Sequence, residues 1–209
     1  MIARGQTTQM DLSLYETTNQ SYWSFLTFTF AMIADLDFES EVLRWLGSIR
    51  LEIWAVFCVA RMRSYPARLS YLPKSQENAE FNMPSLSDPV PADWKVVEDD
   101  ILLLWSSQVT HASESHYHSP PSHIHDGVFQ ILLVRGRVSR ISMANILLSL
   151  EYGTHINHPK AEFIECAAYR LEPLKSGSFN DLDGELIEGG PVQAHVLPSA
   201  IQVFCSLAR

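Results

Sequence analysis

The sequence predicts a mainly β chain with α insertions, arranged as a β-sandwich. Three observations predict it. Short segments that alternate apolar and polar residues, or run apolar for five to seven positions, recur along the chain between turn residues. Helical periodicity is confined to a bent insertion at 38–63 and a smaller helix at 138–151. The 209 residues, 46% of them hydrophobic, are enough for one sizeable core, read here as a single domain over 1–209.

Residues 10–16, MDLSLYE, alternate and read as a strand. Thr17 to Gln20, TTNQ, is a turn, and 23–34 is its hairpin partner, with Phe25, Thr27 and Thr29 set against Leu26, Phe28 and Phe30. Asp35 and Asp37 end that run. At about 100° per residue, Asp37, Glu41, Arg44 and Ser48 share one helix face, while Val42, Trp45, Leu46, Ile49 and Ile53 form the face expected to be buried. Asp37 suits the N-cap, and Glu39 and Glu41 suit the positive end of the helix dipole. Gly47 is expected to bend the helix. A second helix over 48–62 would turn Ile49, Ile53, Val56, Phe57 and Ala60 to the core.

The strand 67–72 stops at Pro73, and the polar, proline-bearing stretch 74–93 reads as a long flexible loop. Residues 94–107 read as a strand, a turn at 98–100 and a very apolar strand; 128–134 is a buried strand. In the helix 138–151, Met143, Ile146, Leu147 and Leu150 share a side, and Gly153 stops it. After a strand at 161–173, Asp183-Gly184 marks a hairpin reversal, and strands at 192–197 and 200–206 close the sheet.

Composition bounds the function. A net charge of −9 argues against nucleic acid as a partner and against purely electrostatic binding to anionic lipid. Cys58, Cys166 and Cys205 have neither disulfide nor metal spacing, which suits a reducing compartment. No segment has the apolar length of a membrane span, and the N-terminus lacks the apolar core of a signal peptide, so a cytoplasmic location with peripheral membrane contact is expected. His111, His116, His118, His123 and His125 crowd one loop with Glu114 and Asp126, which leaves a histidine-loop metal-binding protein as an alternative reading.

The run from Asp35 to Arg50, DLDFESEVLRWLGSIR, can be read simply as a surface of helix ion pairs. Its order, DxDxESExxRxxGxxR, resembles a signature of sphingosine kinases within the wider diacylglycerol-kinase-like lipid kinase family. The stretch LRWLGSIRLEIWAVFCVARMRSYPARLSYLP is similar to that family's next helix and strand. The resemblance implies the C-terminal β-sandwich of such a kinase, phosphorylating the primary hydroxyl of sphingosine or a related sphingoid base.

It further implies that Asp37 meets the lipid head group and that Met32, Ile33, Leu51 and Ala55 touch its tail. Arg44 and Arg50 would reach the ATP phosphates. The DGE triplet, Asp183, Gly184 and Glu185, would approach the nucleotide and its Mg2+. ATP, the sphingoid base and a transient membrane surface are the implied partners. One departure is visible: Phe30-Ala31 stands where the family usually has Trp-Gly. The glycine-rich GDG motif that cradles ATP and supplies the general-base aspartate has no counterpart in this sequence, so no catalytic residue is assigned. The corresponding expectation is a fragment of a full enzyme, a short lipid-binding form without catalysis, or a chain paired with a separate nucleotide-binding domain.

Overall fold

A computed structural model describes residues 5–47, 49–74, 82–113 and 116–205. Its strands are β1 (Thr7–Glu16), β2 (Ser21–Ser24), β3 (Thr27–Ala31), β4 (Tyr65–Pro73), β5 (Lys95–Ser107), β6 (Phe129–Arg135), β7 (Glu162–Pro173), β8 (Asn180–Leu182), β9 (Glu185–Ile187) and β10 (Val192–Phe204). The helices are α1 (Met32–Glu39), α2 (Ile49–Arg61) and α3 (Arg140–Ser149). Strand order is β2-β1-β10-β7-β4-β5-β3-β8-β9, with β6 paired to both β5 and β7.

The two long strands, β5 and β7, turn this order into a sandwich. β5 pairs with β4 from Lys95 to Ile101 and with β6 from Ile101 to Ser107. β7 pairs with β6 up to Cys166 and with β4 beyond it. The ring β4-β5-β6-β7 therefore closes, and each long strand passes from one layer to the other. An irregularity between Ile101 and Leu103 marks the corner of β5. The turn expected at 98–100 is absent, because Glu98, Asp99 and Asp100 each pair with β4 and continue the strand.

Between the layers lie Phe28, Phe30, Leu104, Ile131, Leu133 and Tyr169. The alternate residues of the same strands, Leu103, Trp105, Leu132 and Val134, face outward into a second core beneath the helices. Burial on both faces explains why these strands read as continuous apolar runs. α3 packs there through Met143 and Ile146, as its periodicity predicts, and Ile141 faces solvent.

A third cluster, Leu72, Trp94, Ala167 and Ala168, is covered by Met83 and Val90. The covering segment, 82–94, has no helix or strand, yet it is fastened. The buried Arg170 donates to the carbonyl oxygens of Ser85 (2.8 Å) and Asp88 (2.6 Å) and to Gln193 Oε1 (2.8 Å). That part of the expected flexible loop is thus tied to the sheet; 75–81 lie outside the described residues.

Three further expectations are corrected. The strand expected over 23–34 is broken after Ser24, and its last residues, Met32 to Ala34, are helical. Ala31, at φ 66° and ψ −127°, turns the chain directly from β3 into α1. The final two strands form one bent strand, β10, described as far as Phe204, with Ser199 at φ 53° inside it.

The third correction concerns the helical insertion. α1 ends at Glu39, Ser40–Leu46 winds as a 3₁₀ helix with Leu43 out of helical conformation, and Gly47 (φ 65°, ψ −143°) redirects the chain into α2. A 3₁₀ turn advances about 120° per residue, so a 100° count carried across it misplaces Val42 and Trp45, whereas the regular α2 keeps its apolar face together but turns it to solvent. Val42 is 70% exposed and Trp45 79%; Ile49, Ile53, Val56, Phe57 and Ala60 are exposed as well, and Leu46 is half-buried. α2 instead packs inward through Cys58, Trp54 and Val59.

Candidate functional site

The first half of α1, Met32 to Asp35, is buried against the second core, while Asp37 sits half-buried in the last turn. Asp37 is therefore no N-cap, since the helix starts six residues earlier than the pattern implied. Asp35 is 3% exposed, and its two carboxylate oxygens share the single hydroxyl proton of Tyr65, with Oη at 2.7 and 2.9 Å. Arg63 lies 3.9 Å from Asp35, bridges to Glu39 at 3.2 Å, and rests 4.8 Å over the Tyr65 ring. Burial pushes the Asp35 carboxyl up, against the pull of the Tyr65 hydroxyl and Arg63. Arg61 pairs with Glu39 at 3.2 Å.

β8 is laid against β3 with Asp181 opposite Thr29. Thr29 Oγ1 donates to Asp181 Oδ2 at 2.9 Å, and Asp37 lies within hydrogen-bonding reach of the Asp181 carboxyl. Burial raises Asp37, while Asp181 and Arg50 act to lower it. Burial and then the negative charge of Asp37 raise Asp181 to about 7. The Phe38–Phe179 ring contact at 5.5 Å and the bond from Arg63 to Gly177 O at 3.4 Å fasten the helix to the segment leading into β8.

Arg44 and Arg50 converge on Glu41: Arg50 donates to it, and Arg44 lies 3.4 Å away. The Arg44 side chain is 82% exposed and that of Arg50 only 20%. Ser48, expected on the same face, lies outside the described residues.

The DGE triplet forms the expected reversal. Asp183 (φ 55°) and Gly184 (φ 86°) make a two-residue turn between β8 and β9. Asp183 Oδ1 accepts from Ser24 Oγ at 2.8 Å and Thr27 N–H at 2.9 Å, so this carboxylate bridges the break between β2 and β3. Gly184 and Glu185 are exposed at the tip.

Of the residues expected to touch a lipid tail, Met32 and Ile33 are buried and Leu51 and Ala55 are half-buried. A cavity lined by Met32, Asp35, Glu39, Cys58, Arg61 and Arg63 measures ≈ 10 Å³. That holds about one water, whereas sites for sizeable ligands run to roughly 300–1,000 Å³. This cavity is too small to take a lipid tail.

Among the described residues of the histidine loop no three metal-ligating side chains converge. His118 is buried and stacked on Trp105 at 4.2 Å, and His111 stacks on Tyr117 at 4.7 Å. His116 pairs with Ser113 Oγ. Glu114 lies outside the described residues.

Sequence reasoning missed Thr29, Arg61, Arg63, Tyr65 and Asp181. Their grouping depends on the β3–β8 and β4–β5 pairings, which join residues far apart in the chain.

With this geometry in place, comparison with known proteins is informative. Residues 81–205 match the YegS C-terminal NAD kinase β-sandwich-like domain. The chain belongs to this family. The chain is 31% identical over 210 residues to sphingosine kinase 1 of Mus musculus, covering 93% of the chain and 55% of that protein. It is 30% identical over 205 residues to the Homo sapiens sphingosine kinase 1, covering 90% and 53%. Its relatives are thus lipid kinases, and the chain spans about half the length of the curated relatives it matches. A solved diacylglycerol kinase structure from Bacillus anthracis str. Sterne superposes with a TM-score of 0.55 at 12% identity, covering 96% of this chain and 55% of that one, which shows the shared fold. No helix among the described residues of this YegS-type domain is long and apolar enough to cross a membrane.

Proposed function

We propose that this chain is the lipid-binding and phosphate-facing part of a sphingosine-kinase-type enzyme. The reaction is ATP-dependent phosphorylation of the primary hydroxyl of sphingosine or a related sphingoid base. One observation carries this reading: Asp37, a half-buried carboxyl, stands where α1, Arg50 and the β8–β9 hairpin meet. This arrangement occurs in a chain about 30% identical to sphingosine kinases. A sphingoid head group carries an ammonium and hydroxyls, and a carboxylate removed from bulk water is the partner such a group needs.

The exposed Arg44 and the exposed Gly184 backbone fit phosphate oxygens, one through its guanidinium fork and the other by allowing close approach. Arg50, held by Glu41, would add a second positive charge. Asp183 fits this role poorly, because Oδ1 is committed to Ser24 and Thr27. Glu185 is the carboxylate of the hairpin left exposed for Mg2+. ATP supplies the phosphoryl group when bound. The residues of this chain position the lipid and neutralise phosphate charge, and the proton acceptor for the hydroxyl is assigned to a separate nucleotide-binding domain.

The exposed strip Val42, Trp45, Ile49, Ile53, Val56 and Phe57 supports transient contact with a membrane, where the substrate resides.

Asp37→Asn is the direct test. Sphingosine affinity, followed by intrinsic tryptophan fluorescence of the 209-residue chain, is expected to fall roughly ten- to a hundredfold. Equal affinities in the two proteins would remove Asp37 from the head-group site. Turnover by the chain alone would refute the assignment of the proton acceptor elsewhere.

A further inference from the structure

Asp181 belongs to neither the DxDxESE run nor the DGE triplet, yet it is the more deeply placed of two facing carboxyls. It is 2% exposed. The β3–β8 register sets it opposite Thr29, whose hydroxyl holds Oδ2 at 2.9 Å. Oδ1 is buried with no donor bonded to it. A sheet residue that served only to pin β8 to β3 would need the Thr29 bond and nothing more. In the empty site that oxygen is satisfied only while a proton is shared with Asp37; once both carboxyls ionise it needs a donor from a ligand, and a buried carboxylate oxygen left without one costs about 1–3 kcal/mol.

We propose that Asp181 is a second, specificity-determining carboxylate of the head-group site: with Asp37 it grips the ammonium of a sphingoid base and selects that base over lipids whose head groups carry no positive charge. This rests on the reading of Asp37 given above. Two desolvated carboxyls side by side cannot both ionise without a counter-charge, so the empty pair retains a proton near neutral pH. An ammonium provides the missing charge, and the retained proton passes to solvent as it binds. A neutral diol lipid offers hydroxyls but no charge, and it leaves that proton in place.

The groups facing the pair are consistent with this exchange. Arg50 on α2 favours ionisation of Asp37, and Glu41 of the 3₁₀ turn opposes it. The Thr29 hydroxyl and the Gly184 N–H favour ionisation of Asp181. Asp183, on the adjoining turn, is occupied by Ser24 and Thr27. Arg50 is already bonded to Glu41, so it does not cancel both carboxylates.

The test compares wild type with Asp181→Asn, which keeps the side-chain size and an oxygen for Thr29 but removes the charge. Titration calorimetry uses sphingosine and, as a charge-free control, N-acetylsphingosine, both in detergent micelles. Two buffers of different ionisation heat at neutral pH give the proton count. With Asp181 raised to about 7, the site is about half protonated at neutral pH, so wild type is expected to release about half a proton on binding sphingosine and none on binding the control. In Asp181→Asn the release disappears, sphingosine affinity falls roughly ten- to a hundredfold, and affinity for the control is unchanged.

An unaltered proton count in the variant, or equal losses for both lipids, overturns the proposal. The ratio of the two affinities and the proton count per bound lipid do not depend on how much of the variant is folded. Asp37→Asn separates the two readings. If it leaves sphingosine binding intact, the head-group site itself is misplaced. If it weakens binding and Asp181→Asn does not, only the role of Asp181 falls.

Discussion

Acid should destabilise this fold through His118. Its ring is fully buried, stacked at 4.2 Å on Trp105 and facing the His155 ring at 6.0 Å, and neither ring nitrogen makes a well-formed hydrogen bond. Burial, with smaller contributions from His155 and His116, lowers its pKa from 6.5 to about 3. The folded chain therefore excludes a proton that the unfolded chain accepts. This contribution to stability is complete above the unfolded value and is lost as pH falls through it, continuing down towards the folded value. Between about pH 7 and about pH 5 the loss from His118 alone amounts to about 2 kcal/mol. For a chain of this size that lowers the melting temperature by roughly 4–8 °C.

His118→Phe keeps a stacking ring and removes the titration. Thermal unfolding followed by circular dichroism over that pH range should show a shallower fall for the variant than for wild type, by the amount above. Only the difference in slope is diagnostic. His155 and His195, whose pKa values are also lowered, act in the same direction, and the raised Asp35, Asp37 and Asp181 act in the opposite one, in both proteins. Parallel pH profiles would refute the reasoning.

Two further substitutions test the frame around the site. Ala31 holds φ 66° and ψ −127° while fully buried, a backbone conformation that favours glycine, so Ala31→Gly should raise stability by about 1 kcal/mol in urea unfolding; a lower midpoint would show that the turn is unstrained. Arg170→Met strands the carbonyl oxygens of Ser85 and Asp88, and should cost roughly 2–3 kcal/mol and speed proteolysis within 82–94; unchanged cleavage there would show that the segment is held by Met83 and Val90 alone.

Much of the fold was legible because most strands obey local rules. The alternation in 10–16, the apolar run at 128–134 and the Asp183-Gly184 turn each require only near neighbours in sequence. The helical insertion was legible as helix but not as surface. The face count before Gly47 assumed α-helix, and the 3₁₀ winding of Ser40–Leu46 broke it, leaving Trp45 in solvent; beyond the expected bend, α2 is helical as read but turns the face of Ile53 and Val56 to solvent and packs through Trp54 and Cys58 instead. The run at 23–34 could not reveal its own end, because Ala31 takes a conformation its residue type does not advertise.

The same division holds at the candidate site. The sequence alone determined the acidic run, the two arginines and the DGE triplet, since charge and spacing within a short stretch are properties of the chain itself. Tertiary structure decided what those groups face. It placed Asp37 against Asp181, gave Arg44 and Arg50 a common partner in Glu41, took Asp183 for a structural bridge, and left a water-sized cavity between α1 and α2. The physical reason is that a carboxyl's protonation and availability depend on its neighbours in space. Here the decisive neighbour of Asp37 arrives on β8, brought alongside by pairing with β3.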